Sequence, residues 1–77
     1  MENKIIDFFK SEELCKLKYI TTNKLLYALS NQKIATNSGD AYYFIRICKG
    51  MGVLKQIKPK NFEIDREKLK KEGVNNG

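Results

Sequence analysis

The chain has 77 residues, 42% hydrophobic and 31% charged, with 15 Lys and Arg against 9 Asp and Glu and no His. This is one small domain with one core: there are too many large apolar residues for a disordered chain, and no run approaches the ~18 uncharged apolar residues of a membrane span. The amino terminus has neither the basic nor the apolar region of a secretory signal, so an intracellular, cytoplasmic protein is expected. Cys15 and Cys48 have no CxxC spacing and no His to complete a metal site, so neither metal nor cofactor is expected and both thiols read as packing. Catalysis is not expected either, because the chain lacks a glycine-rich phosphate loop, GxSxG and HExxH, and the adjacent Glu12 and Glu13 would diverge on a helix.

In chain order, Ile5, Ile6, Phe8, Phe9 and Leu14 recur at helical spacing and predict a first helix over residues 2–15. Residues 16–21 alternate and favour a very short edge strand. Thr21 or Thr22 can cap a second helix that carries Leu25, Ala28 and Leu29 on one face and ends near Asn31. After a link over 32–36, Asn37 with Asp40 resembles a capping box and opens a third helix over 38–50, which a glycine closes at Gly50 or Gly52. Its residues Ala41, Phe44, Ile45, Cys48 and Met51 form an apolar face, with Tyr42, Tyr43, Arg46 and Lys49 toward the other side. Of the two tyrosines, Tyr42 is expected to be exposed and its neighbour partly packed.

Residues 53–57 and 62–65 predict a β-hairpin joined by Lys58-Pro59-Lys60-Asn61, with the lone proline in the turn. Asp65 can cap a short final helix over 66–71. The folded domain is expected over 1–72, with 73–77 as a disordered tail. Charge is distributed unevenly along this order: Lys and Arg against Asp and Glu number 5 to 4 over residues 1–30, 6 to 1 over 31–60, and 4 to 4 over 61–77. The net charge of +6 thus resides almost entirely in the middle of the chain, where it either meets a polyanion or maintains solubility.

The order helix, short strand, helix, helix, strand, strand, helix resembles the winged helix-turn-helix DNA-binding proteins. The run Ile45-Arg46-Ile47-Cys48-Lys49-Gly50-Met51-Gly52-Val53-Leu54-Lys55-Gln56-Ile57 looks like that family's recognition-helix end passing into its first wing strand. The resemblance implies an α+β fold: a three-helix core, a C-terminal β-hairpin wing over residues 53–65 and a short final helix. It further implies a small archaeal or viral type of transcriptional regulator or genome-maintenance protein bound to double-stranded DNA. One departure is the link Gln32–Asn37, longer than the 3–4-residue turn of a compact helix-turn-helix.

On that reading the third helix enters the major groove with Asn37, Ser38, Tyr42, Tyr43, Arg46 and Lys49, Arg46 gripping either a guanine edge or a phosphate. The hairpin presents Lys55, Lys58, Lys60 and Asn61 to backbone or minor groove. Thr21, Thr22, Asn23 and Lys24 at the start of the second helix suit one phosphate, and Lys33 adds a cation in the link. A homodimer through Phe8 and Phe9 of the first helix, or through the last helix, would suit paired half-sites. The alternative is a protein-interaction winged-helix module without direct DNA binding; a third option is RNA, with Tyr42 or Tyr43 stacked on an unpaired base.

Overall fold

The computed structural model describes the backbone of residues 2–75. The first helix, α1, spans Glu2–Lys10 rather than residues 2–15. Periodicity explains the early stop. At ~100° per residue Leu14 would point away from the side occupied by Ile5, Phe8 and Phe9, while Glu12 and Glu13 would fall on it. Breaking the helix lets Leu14 turn inward with Ile5, Phe8 and Phe9, and all four are fully buried. The break is closed locally: the Ser11 hydroxyl donates to Phe8 O at 2.7 Å, and Cys15 N–H to Ser11 O at 2.7 Å. On this turn Cys15 faces outward, so its expected packing role does not hold, whereas Cys48 is buried and its thiol is pushed up to about 12 by desolvation. Both cysteines are free.

The edge strand β1 is Tyr19–Thr21, and Thr21 then caps α2, Thr22–Asn31, by accepting from Lys24 N–H at 3.1 Å. Helix α3 runs from Ser38 to Met51, with Asn37 Oδ1 accepting from Asp40 N–H at 2.8 Å as the capping pattern predicted. The link from Gln32 to Asn37 is as long as the sequence indicated. It is a packed segment, not slack, because Ala35 is buried and Ile34 rests on the core.

Helices α2 and α3 end in the same pair of bonds, built from different residues. Gly52 closes α3 at φ 82°, where Val53 N–H reaches Cys48 O and Gly52 N–H reaches Lys49 O, both at 3.1 Å. At the end of α2, Ile34 N–H reaches Leu29 O at 2.9 Å and Lys33 N–H reaches Ser30 O at 3.0 Å. The left-handed position there is held by Lys33 at φ 58°. A side chain in this conformation costs about 1–2 kcal/mol that glycine avoids. Lys33→Gly is therefore expected to raise stability by about 0.5–1 kcal/mol after glycine's larger chain entropy is set against the relief. A thermal midpoint a few degrees higher is the readout; an unchanged or lower midpoint would contradict the strain argument.

Strands β2, Leu54–Lys58, and β3, Asn61–Ile64, are joined by the two residues Pro59 and Lys60. Proline fixes a negative φ, and Lys60 is not among the residues with positive φ, so this is not one of the mirror-image turns that match strand twist. The register shift between Gln56 and Lys58 places a bulge at Ile57 that supplies extra twist instead. The sheet is antiparallel in the order β1-β3-β2, with Ile20 opposite Phe62 and Leu54 opposite Ile64, all four side chains buried on its inner face.

Asp65 caps α4, Arg66–Asn75, its carboxylate accepting from Lys68 N–H at 3.0 Å. That bond first, and the nearby Lys55 ammonium after it, hold the Asp65 carboxyl below its usual pKa. The helix extends past the expected end near Lys71; of the expected tail, residues 76 and 77 lie outside the described residues. Leu69 joins α4 to one core shared with α1, α2, α3 and the sheet, and no polar side chain is buried among the described residues. The result is a small α+β domain of four helices and a three-stranded antiparallel sheet. None of the described helices is long and apolar enough to cross a membrane.

Candidate nucleic-acid interface

The residues singled out in the sequence divide into a group the fold brings together and a group it does not. Helix α3 buries Ala41, Phe44, Ile45 and Cys48, which fixes the opposite face outward. Tyr42 and Tyr43 are both exposed, at 54% and 59%, so the expectation that one of them packs into the core is corrected. The cause is geometric: the buried residues form a narrow stripe, and positions 42 and 43 both lie off it. Tyr42, Arg46 and Lys49 recur at intervals of four and three and follow one line along the helix.

That line borders an open cleft whose other walls are Thr22 at the start of α2 and Gln56, Pro59 and Phe62 of the hairpin. None of the residues lining it is acidic. The cleft is held by a short hydrogen-bond chain. Lys49 Nζ donates to Gln56 Oε1 at 3.0 Å, and Gln56 Nε2 donates to the Pro59 carbonyl at 3.0 Å. From the other side, Thr22 N–H donates to Lys60 O at 3.0 Å, pinning the hairpin turn to the first turn of α2. Lys58 and Lys60 flank Pro59 and are exposed, and Asn23 follows Thr22 and is exposed. Arg46 has no hydrogen-bond or salt-bridge partner among the described residues, so its guanidinium is open to a ligand.

Several expected contributors lie elsewhere. Lys24 is turned toward the segment after α1, where it pairs with Glu13 at 3.4 Å and lies over the Tyr27 ring. Lys55 alternates with the inward Leu54 and so occupies the outer face of the sheet, paired with Asp65 at 3.3 Å. Asn61 lines a different cleft with Tyr19, Thr21 and Lys24. Lys33 sits beyond the carboxyl end of α2, eleven residues after the first residue of that helix. Asn37 spends its side chain on Asp40, accepting from its N–H and donating from Nδ2 to Oδ2 at 3.2 Å, and Ser38 lines a small depression with Leu26 and Ser30. Tyr43 lies on the exposed face of α3 but does not line the cleft.

The phosphate site expected at the start of α2 is also reduced. Thr22 N–H is taken by Lys60 O and Lys24 N–H by Thr21 Oγ1, which leaves Asn23 N–H as the open donor of that turn. Phe8 and Phe9 are both fully buried, so the dimer contact assigned to them has no surface to act on. Their stripe reads equally well as core or interface in sequence, and the fold uses it as core. Gln56 was not among the expected residues. The alternation of β2 carried the signal, since it puts Gln56 on the same side as Leu54, toward α3.

No group of His, Cys, Asp and Glu among the described residues is arranged to hold a metal ion. Compared with protein-family models, curated proteins and solved structures, the chain matches none.

Proposed function

We propose that this chain is a double-stranded DNA-binding protein of winged helix-turn-helix type, acting as a transcriptional regulator. On this reading α3 lies in the major groove and the hairpin turn rests on the adjacent backbone. The observation that carries it is the segregation of charge. Both salt bridges among the described residues, Lys24–Glu13 and Lys55–Asp65, lie off the α3 face, whereas Arg46, Lys49, Lys58 and Lys60 border or flank one cleft without an acid to neutralise them. The element order and the sheet order β1-β3-β2 also support it. A helix of 14 residues is about 21 Å long at ~1.5 Å per residue, enough to cross a major groove ~12 Å wide.

The pinned turn favours phosphate contact over minor-groove insertion. Lys60 O is tied to Thr22 N–H and Pro59 O to Gln56, so the tip sits beside α2 instead of projecting past it. In this account Lys49, Lys58 and Lys60 meet phosphates and Arg46, at the centre of the exposed face, meets either a base edge or a phosphate. Titration of labelled duplex against wild type, Lys58→Ala/Lys60→Ala and Arg46→Ala at several salt concentrations tests these assignments. Loss of two phosphate contacts should flatten the slope of log affinity against log salt by about 2. Arg46→Ala should flatten it by about 1 if Arg46 holds a phosphate. If it reads a base, the slope should persist while about 1–3 kcal/mol of sequence discrimination is lost. A double variant indistinguishable from wild type would remove the hairpin from the interface.

A further inference from the structure

We propose that Gln56 is a positioning residue of this interface, presenting the Lys49 ammonium and setting the hairpin turn relative to α3; the inference rests on the DNA-binding reading above. Gln56 stands between two parts of the site that come from different elements. Its Oε1 accepts from Lys49 on α3, and its Nε2 donates to Pro59 O in the turn, each at 3.0 Å. The residue after it is the bulge at Ile57, where β2 departs from regular pairing with β3. The turn is thus least constrained by the ladder where the Gln56 amide holds it.

The side-chain amide does both tasks, because it has an acceptor and donors on separate atoms of one tip. A carboxylate in its place would keep the Lys49 bond, lose the bond to Pro59 O and put negative charge against the phosphates. An ammonium would lose the Lys49 bond. The two hydrogen bonds are exposed and contribute little to folding. Their effect falls on binding, since a lysine and a turn already held in the bound arrangement lose less freedom when DNA arrives.

The test is a double-mutant cycle on duplex affinity with Lys49→Ala, Gln56→Met and the double variant, together with nitrogen-15 relaxation of residues 58–61 in the free protein. Gln56→Met keeps the side-chain length and removes both hydrogen bonds. It should weaken duplex binding about three- to tenfold, leave the salt slope and thermal midpoint near wild type, and have a clearly smaller effect when Lys49 is already alanine. Order in the turn of the free variant should fall. An additive cycle, wild-type affinity for Gln56→Met, or an unchanged turn would each overturn the proposal. If wild type binds no duplex, the DNA reading fails and takes the presentation of Lys49 with it. A drop in turn order would then still establish that Gln56 holds the hairpin, and an unchanged turn would refute that as well.

Discussion

Arg66→Ala is expected to destabilise the fold by about 3 kcal/mol. Breaking α1 at Lys10 leaves carbonyls of its last turn and of the following segment without intrahelical donors. Arg66, at the first position of α4, collects three of them: Nη1 donates to Phe9 O at 2.8 Å, and Nη2 to Leu14 O at 2.6 Å and Leu17 O at 2.7 Å. Such bonds from a charged donor are individually worth about 1.5–3 kcal/mol, lowered here because Arg66 is only partly buried. The planar fork also puts a cation at the carboxyl end of α1, where the helix dipole favours it. A domain of this size has a total stability of roughly 4–12 kcal/mol, so the loss is a large share of the whole. Urea unfolding followed by circular dichroism measures it. Arg66→Lys should recover only part of the loss, and a cost below about 1 kcal/mol for alanine would mean that water serves these carbonyls equally well.

The second large effect is expected from Phe8→Ala. Phe8 is fully buried, and its ring meets Phe9 at 5.0 Å and Phe44 at 5.3 Å between centroids, both edge to face. It therefore ties α1 to α3, the helix that carries the candidate interface. Truncating a buried phenylalanine costs about 3–5 kcal/mol through lost transfer energy and the cavity left behind. The variant should melt about 12 °C or more below wild type, or be partly unfolded at room temperature. A wild-type melting curve would contradict the packing described, and the same curve with a lower mass in light scattering would return Phe8 to an interface between copies.

What was legible in the sequence was local. Asn37 with Asp40, the Thr21 cap, Gly52 and Pro59 each act within a few residues, and α2, α3 and the hairpin follow from them nearly to the residue. The end of α1 is not legible from apolar spacing alone, since Leu14 fits the interval but falls on the wrong side of the helix. The role of Arg66 was out of reach, since its acceptors are backbone carbonyls 49 to 57 residues away and carry no side-chain signature.

For the candidate interface, the sequence locates the basic residues along the chain but not which of them share one face. Counting charge along the chain found the basic middle, but only the fold separates Lys24 and Lys55, each neutralised by an acid, from Arg46, Lys49, Lys58 and Lys60. For Lys55 the strand period alone would have sufficed, as the neighbour of inward Leu54 must face outward. For Lys24 it would not, because Glu13 reaches it only through the turn that follows the break in α1.

The central claim is that the α3 face and the hairpin turn together bind duplex DNA, and the salt dependence of wild-type affinity for a random-sequence duplex tests it most directly. With four cations engaged at ~0.9 ions released each, log affinity should fall linearly with log salt with a slope of about −3 to −4. Absence of duplex binding even at low salt would contradict the claim and leave the protein-interaction module as the better account of the fold.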